Sequence, residues 1–149
     1  MMDLPQPHDH KILIYRAGLV PYIIESGKIL MMFMKPSDPA FGGDEFQIAK
    51  GKVEDEDDSF QDAALREAKE EIGLFEGNVI KTEEVGTFMG RTTVFVSKVK
   101  NKDMFGMPSF ETGDVSWMTP EQFQLDGRIL HRPVIAAVVR KIKQMEGME

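Results

Sequence analysis

Three carboxylates, Glu67, Glu70 and Glu71, crowd one short stretch of the chain directly after Arg66. On a helix turning 100° per residue, Glu71 lies about 40° to one side of Glu67 and Glu70 about 60° to the other. Arg66 flanks Glu70, while Gln61, Ala64, Leu65, Ala68 and Ile72 gather on a separate face centred roughly 115° away. One face can pack; the other concentrates negative charge. Carboxylates held that close repel one another unless a positive charge sits between them. A divalent cation with a preference for oxygen, such as magnesium, is the matching occupant. A run such as Glu-Ala-Lys-Glu-Glu taken alone is more often a solvated helix face. Here it follows a Gly51-Lys52 loop and an acidic run from Glu54 to Asp58, and it ends on Gly73-Leu74.

Those side chains converge only if the helix begins and ends cleanly. Ser59 with Asp62 makes a capping pair, and Asp57 and Asp58 place negative charge near the positive helix end. Gly73 is a suitable stop, so the helix is predicted over 60–72. Before it, residues 11–24 and 28–34 read as a hairpin turning at Glu25-Ser26-Gly27, with Pro21 implying an edge, a bulge or a strand end. Residues 35–44 are a Pro- and Gly-rich loop, and Phe46 to Ile48 is a short strand. Beyond the helix, 79–88 and 92–99 form a second strand pair. Residues 100–110 read as a flexible connection, and 115–118 as a short strand around Trp117. Thr119-Pro120 starts one helix, and Pro133 opens the last, over 134–145, with apolar residues at helical spacing. Helices are too few to alternate with strands. The expected fold is α+β, a mixed or antiparallel sheet flanked by helices.

The 149 residues suit one domain, 1–149, with 1–11 an exposed lead-in in which His8 and His10 read as solvated. A net charge of −7 argues against general nucleic-acid binding through the phosphate backbone. It leaves room for a small phosphorylated substrate, because a bound cation reverses the local field. The absence of cysteine excludes a disulfide framework, a thiolate nucleophile and cysteine-ligated zinc. No apolar run approaches the ~18 residues of a membrane span, and the N-terminus lacks the pattern of a signal peptide. A cytoplasmic protein is expected.

The stretch from Gly51 to Leu74 resembles the signature of the Nudix hydrolases: Gly, five residues, Glu, seven residues, then Arg-Glu-aliphatic-x-Glu-Glu-x-Gly-aliphatic. Arg66-Glu67-Ala68-Lys69-Glu70-Glu71-Ile72-Gly73-Leu74 matches its second half throughout, with Ala68 at the aliphatic position. The first half departs from it. Gly51 to Arg66 is one residue longer than the pattern, and the loop glutamate is represented by Asp57 or Asp58. The resemblance implies an α/β/α sandwich and metal-dependent hydrolysis of a nucleoside diphosphate linked to another group. It implies that Glu67, Glu70 and Glu71, with the carbonyl of Lys50, hold Mg2+ or Mn2+. Arg66 would orient Glu67 or Glu70. The general base would be Glu67 or a later glutamate, of which Glu111 is the best placed and Asp114 the next.

The substrate is less legible. In the family, ADP-ribose hydrolases tend to carry a proline a short way beyond the signature and dinucleoside polyphosphate hydrolases a tyrosine. This chain has Met89-Gly90-Arg91-Thr92 there, hence neither. The NADH-hydrolase sequence SQPWPFPxS is absent as well. The Gly-Lys-Val-Glu opening leans toward dinucleoside polyphosphate, nucleoside 5′-triphosphate or RNA 5′-end substrates. ADP-ribose, a nucleotide sugar, or a non-catalytic nucleotide-binding role are the alternatives. Lys50, Lys52 and Arg91 are the foremost candidates to meet phosphates, with Lys35 and Arg16 behind them. Phe46, Phe41, Phe88 or Phe105 could stack on a base. A homodimer is left open.

Overall fold

The computed structural model describes residues 14–149. The expected lead-in at 1–11 and the first residues of the expected first strand therefore lie outside the described part. Among the described residues there are six strands: β1 (Arg16–Glu25), β2 (Lys28–Pro36), β3 (Ala49–Lys52), β4 (Val79–Phe88), β5 (Thr92–Val99) and β6 (Thr112–Met118). Three α-helices accompany them: α1 (Phe60–Ile72), α2 (Pro120–Asp126) and α3 (Arg132–Glu146). The sheet runs β4-β5-β1-β2-β6, with β3 also paired to β1. The β1–β5 pair is parallel and the others are antiparallel, so the sheet is mixed.

Pro21 departs from its expected place. It lies inside the central strand β1, not at an edge. On one side β1 pairs with β3 through Leu19 and with β2 from Tyr22 onward. Pro21 falls at that change of partner, where its missing N–H removes no ladder bond on that side. The short third strand also shifts from expectation. It runs Ala49–Lys52, while Phe46 and Gln47 make only isolated bridges, to Gly127 and Met34.

Both faces of the sheet are covered, as in an α/β/α sandwich. Val20, Tyr22, Ile48, Val94 and Val96 pack against Phe123 of α2 and Val134, Ile135, Val138 and Ile142 of α3. On the other face Ala17, Leu19, Ala49 and Phe95 pack against Ala63, Ala64, Ala68 and Ile72 of α1. The alanines let α1 approach closely. Its buried stripe differs from the predicted one: Gln61 is exposed and Ala63 is buried, and Glu67 also points inward, only 8% exposed. The helix starts at Ser59, whose hydroxyl accepts from Asp62 N at 3.0 Å. It stops at Gly73, with φ 74°, whose N–H reaches the carbonyls of Ala68 and Lys69.

The connection expected to be flexible is strapped down. Asn78, fully buried, donates to the carbonyls of Asn101 and Met104 and accepts from the N–H groups of Lys100 and Asn101. Further along, Gly106 N donates to Gly73 O at 2.7 Å and Ser109 N to Glu70 O at 2.7 Å. Thr112 Oγ1 donates to Glu71 O at 2.7 Å. Residues 106–112 are thus laid along the C-terminal end of α1.

His131, just before α3, is fully buried. Its Nδ1 accepts from Ile48 N at 3.1 Å, which leaves the proton on Nε2. Burial, with Lys50 and Arg128 nearby, pushes its pKa down to about 3. The folded chain therefore keeps His131 neutral at pH values where the unfolded chain protonates it. Stability should fall from about pH 6.5 toward pH 3, by about 1.4 kcal/mol per pH unit from this group. Urea unfolding at a series of pH values should show a shallower acid limb in His131→Gln than in the parent. Parallel limbs would contradict the burial of a neutral imidazole.

Candidate active site

Arg66 is the knot that ties the acidic loop to α1. Its Nε and Nη2 donate to the two oxygens of Asp57, at 2.9 and 2.8 Å, and Nη2 also donates to Lys52 O at 3.1 Å. Nη1 donates to Glu67 at 2.8 Å and lies 3.6 Å from Glu70. Asp57 accepts from Glu54 N as well, at 2.8 Å. The Arg66 fork and that N–H hold the Asp57 carboxyl down at about 2, and Asp57 in turn raises the Arg66 pKa. Asp57 is therefore the loop carboxylate that meets the arginine, and the extra residue falls between it and Arg66. Asp58 is exposed. Asp57→Asn should cost about 1.5 kcal/mol of stability, because one fork of a charge-assisted pair is lost. Asp58→Asn should stay within about 0.5 kcal/mol of the parent. Denaturant midpoints of the two variants check this; equal midpoints would contradict it.

Glu67 and Glu71, one turn apart, stand within hydrogen-bond reach of each other. Glu71 Oε1 accepts from Lys50 N at 3.3 Å. Burial is the largest cause raising both carboxyls, and their mutual repulsion adds to it for Glu71. Glu67 reaches this place because position 51 is glycine: a Cβ there would land on the Glu67 carboxylate. Glu70 is drawn aside toward Arg66, with a side chain 54% exposed. Among the described residues no three His, Asp or Glu side chains close around one point. The donor chemistry nevertheless fits a hard divalent cation. Two inward carboxylates with raised pKa values face each other, and a third hangs from the same turn.

A cleft of about 980 Å³ opens over this group. It takes in Glu67, Glu70 and Glu71 together with Lys50, Lys52 and Glu111 from the sequence reading, and with Arg16 and Phe41 from its wider candidates. Glu111 is presented by the strapped segment, its carbonyl accepting from Ser37 N at 2.8 Å. Arg91, Phe46, Lys35 and Asp114 are not in the lining. Phe46 packs toward the core beneath Lys35, whose ammonium lies 4.7 Å from the ring centre. Phe88 packs on the core, and Phe105 meets Trp117 edge-on. The sequence reading missed Arg128 and Phe110, both in the lining. Phe110 adjoins Glu111 and could have been noticed; Arg128 lies in a helix connection with no motif of its own.

The family model described as NUDIX domain matches residues 15–138. No curated protein matches the sequence significantly. Among solved structures, the NUDIX domain of Shewanella oneidensis NrtR complexed with ADP ribose is similar at 12% identity and TM-score 0.73. That likeness covers 93% of this chain and 94% of that one. A C. elegans Ap4A hydrolase binary complex is similar at 22% identity and TM-score 0.69, covering 89% of this chain and 99% of that one. NrtR complexed with a 27mer DNA is similar at 12% identity and TM-score 0.67, covering 87% of this chain and 62% of that one. At these identities the likeness is one of fold.

Proposed function

We propose that this chain, which belongs to the NUDIX domain family, is a metal-dependent hydrolase of a diphosphate bond in a nucleoside diphosphate linked to another group. The observation that carries this reading is the inward pair Glu67 and Glu71, set against Gly51 and Lys50 N at the floor of a cleft that also holds basic side chains. Magnesium or manganese held by Glu67, Glu70, Glu71 and the Lys50 carbonyl would neutralise diphosphate charge and lower the pKa of a bound water. The chain's own part is positional. Arg66 fixes Glu67 against the loop. Lys50 and Lys52 offer cations to phosphate oxygens. Water adds to one phosphorus, the anhydride P–O bond breaks, and the water's proton passes to a carboxylate, either Glu67 or Glu111.

The reading includes one domain over 1–149 and no general nucleic-acid binding, the latter supported by the net charge of −7. Among the described residues no helix is long and apolar enough to cross a membrane. A panel of dinucleoside polyphosphates, nucleoside triphosphates, ADP-ribose and a nucleotide sugar, each with and without Mg2+ or Mn2+, tests the reading. The expected result is a nucleoside monophosphate or diphosphate released only with metal. Ligand binding without turnover in the presence of metal would instead establish a non-catalytic nucleotide-binding domain.

A further inference from the structure

The strand that carries Lys50 and Gly51 has a ladder on one side only. β3 pairs with β1, and among the described residues no strand pairs with its other edge. Val53 N continues the ladder to Tyr15 O at 2.9 Å, so positions 49, 51 and 53 turn their backbone groups toward β1. The even positions turn theirs outward, where a further strand would lie. Other groups take its place. Phe46 O accepts from Arg128 N at 2.8 Å, and Ile48 N donates to His131 Nδ1 at 3.1 Å. Lys50 N donates to Glu71 Oε1 at 3.3 Å, and Lys52 O accepts from Arg66 Nη2 at 3.1 Å.

The two ends of this edge differ in kind. Glu71 and Arg66 belong to the carboxylate group itself, and Glu71 is wanted for the cation. Pairing with β1 fixes β3 lengthwise, whereas its roll about β1 is set by the outer edge. That roll decides where Gly51 and the Lys50 carbonyl stand relative to the carboxylates of α1. Among the described residues, His131 is the one side chain outside the carboxylate group that bonds to this edge. It is firmly seated: fully buried, with its N–H on Arg128 O at 2.9 Å, and leading directly into the core-packed helix α3. Its Nε2 has no partner among the described residues. An unpaired donor in the interior is costly, so packing alone does not account for an imidazole here. We infer that His131 is a positioning residue for the cation site. By holding Ile48 N it fixes the free edge of β3, and with it the Lys50 carbonyl and Gly51, against Glu67 and Glu71. Ile48 stands about 7 Å along the strand from Lys50, so the imidazole acts through the backbone. The inference rests on the hydrolase reading for the presence of a cation.

Mn2+ uptake by the full chain, followed through the free-ion resonance signal, compares the parent with His131→Leu and His131→Asn. Leucine fills a similar space and accepts no hydrogen bond; the asparagine Oδ1 can stand in for Nδ1. His131→Leu should weaken Mn2+ by about tenfold, and His131→Asn should recover most of that loss, with melts showing each variant folded. A residue that only packs would give the reverse order, leucine keeping the affinity better than asparagine. Coupling is reciprocal, so a second measurement needs no variant. Saturating Mg2+ should slow amide hydrogen exchange at Ile48 in the parent by up to about tenfold. Unchanged exchange at Ile48 with Mg2+ bound would overturn the inference, as would equal Mn2+ affinity in a folded His131→Leu; either leaves the hydrolase reading intact. The expected pattern without nucleotide turnover keeps the positioning role and rejects the hydrolase. No Mn2+ uptake by the parent would overturn both.

Discussion

Glu71→Gln should lower kcat by about a thousandfold, ~4 kcal/mol of transition-state stabilisation, while leaving the fold intact and its metal-free stability equal to or above the parent's. The two effects have one cause. Glu71 sits behind Lys50, within hydrogen-bond reach of Glu67, and both carboxyls are pushed up by burial. The amide oxygen of glutamine can still accept from Lys50 N, and its NH2 can donate to Glu67. The like-charge contact is thereby relieved in a site without metal. What is lost is an anionic oxygen for the cation. A residue needed only for packing would behave in the opposite way, with stability falling and activity following it. Steady-state rates with Mg2+, paired with thermal melts in chelator, separate these cases. Full activity in the variant would remove Glu71 from the site.

Gly51→Ala should be nearly as damaging, although it adds a single methyl group and changes no charge. The new Cβ would occupy the space of the Glu67 carboxylate. Either Glu67 leaves Arg66 and Glu71, or β3 moves away from α1. The first route disables the site, and the second disturbs the packing of Ala49 against the α1 alanines. Loss of activity by at least about a hundredfold is expected, with destabilisation of about 1–3 kcal/mol. A mutant cycle gives the decisive reading. In a Glu67→Ala background the methyl group meets an emptied space, so Gly51→Ala should cost much less stability there than in the parent. Additive costs would mean that Gly51 serves the strand and not the carboxylate.

The helix half of the site was readable because a 13-residue α-helix obeys local rules. Its cap at Ser59, its stop at Gly73 and the clustering of Glu67 and Glu71 all follow from spacing along one element. The direction of Glu67 did not. A glutamate on an amphipathic helix is expected at the surface, and only the missing side chain at Gly51 makes an inward carboxylate feasible. Choosing Asp57 over Asp58 likewise required the three-dimensional reach of Arg66, since adjacent aspartates in a loop carry no periodicity. Pro21 misled because strand rules treat an element as having one partner on each side, whereas β1 exchanges β3 for β2 next to that proline. The segment at 100–110 looked loose because its restraints come from Asn78 and from the carbonyls at the end of α1, all distant in sequence. Arg128 was invisible for a similar reason. Its place in the cleft depends on Gln47, 81 positions away.

If Glu67, Glu70 and Glu71 hold a divalent cation, Mn2+ titration followed by electron paramagnetic resonance detects it without any substrate. The free-ion signal should diminish as the parent chain takes up Mn2+, and Glu67→Gln combined with Glu71→Gln should abolish that uptake while the melt shows a folded protein. Undiminished free-ion signal at millimolar Mn2+ in the parent, or equal uptake by the double variant, would contradict it.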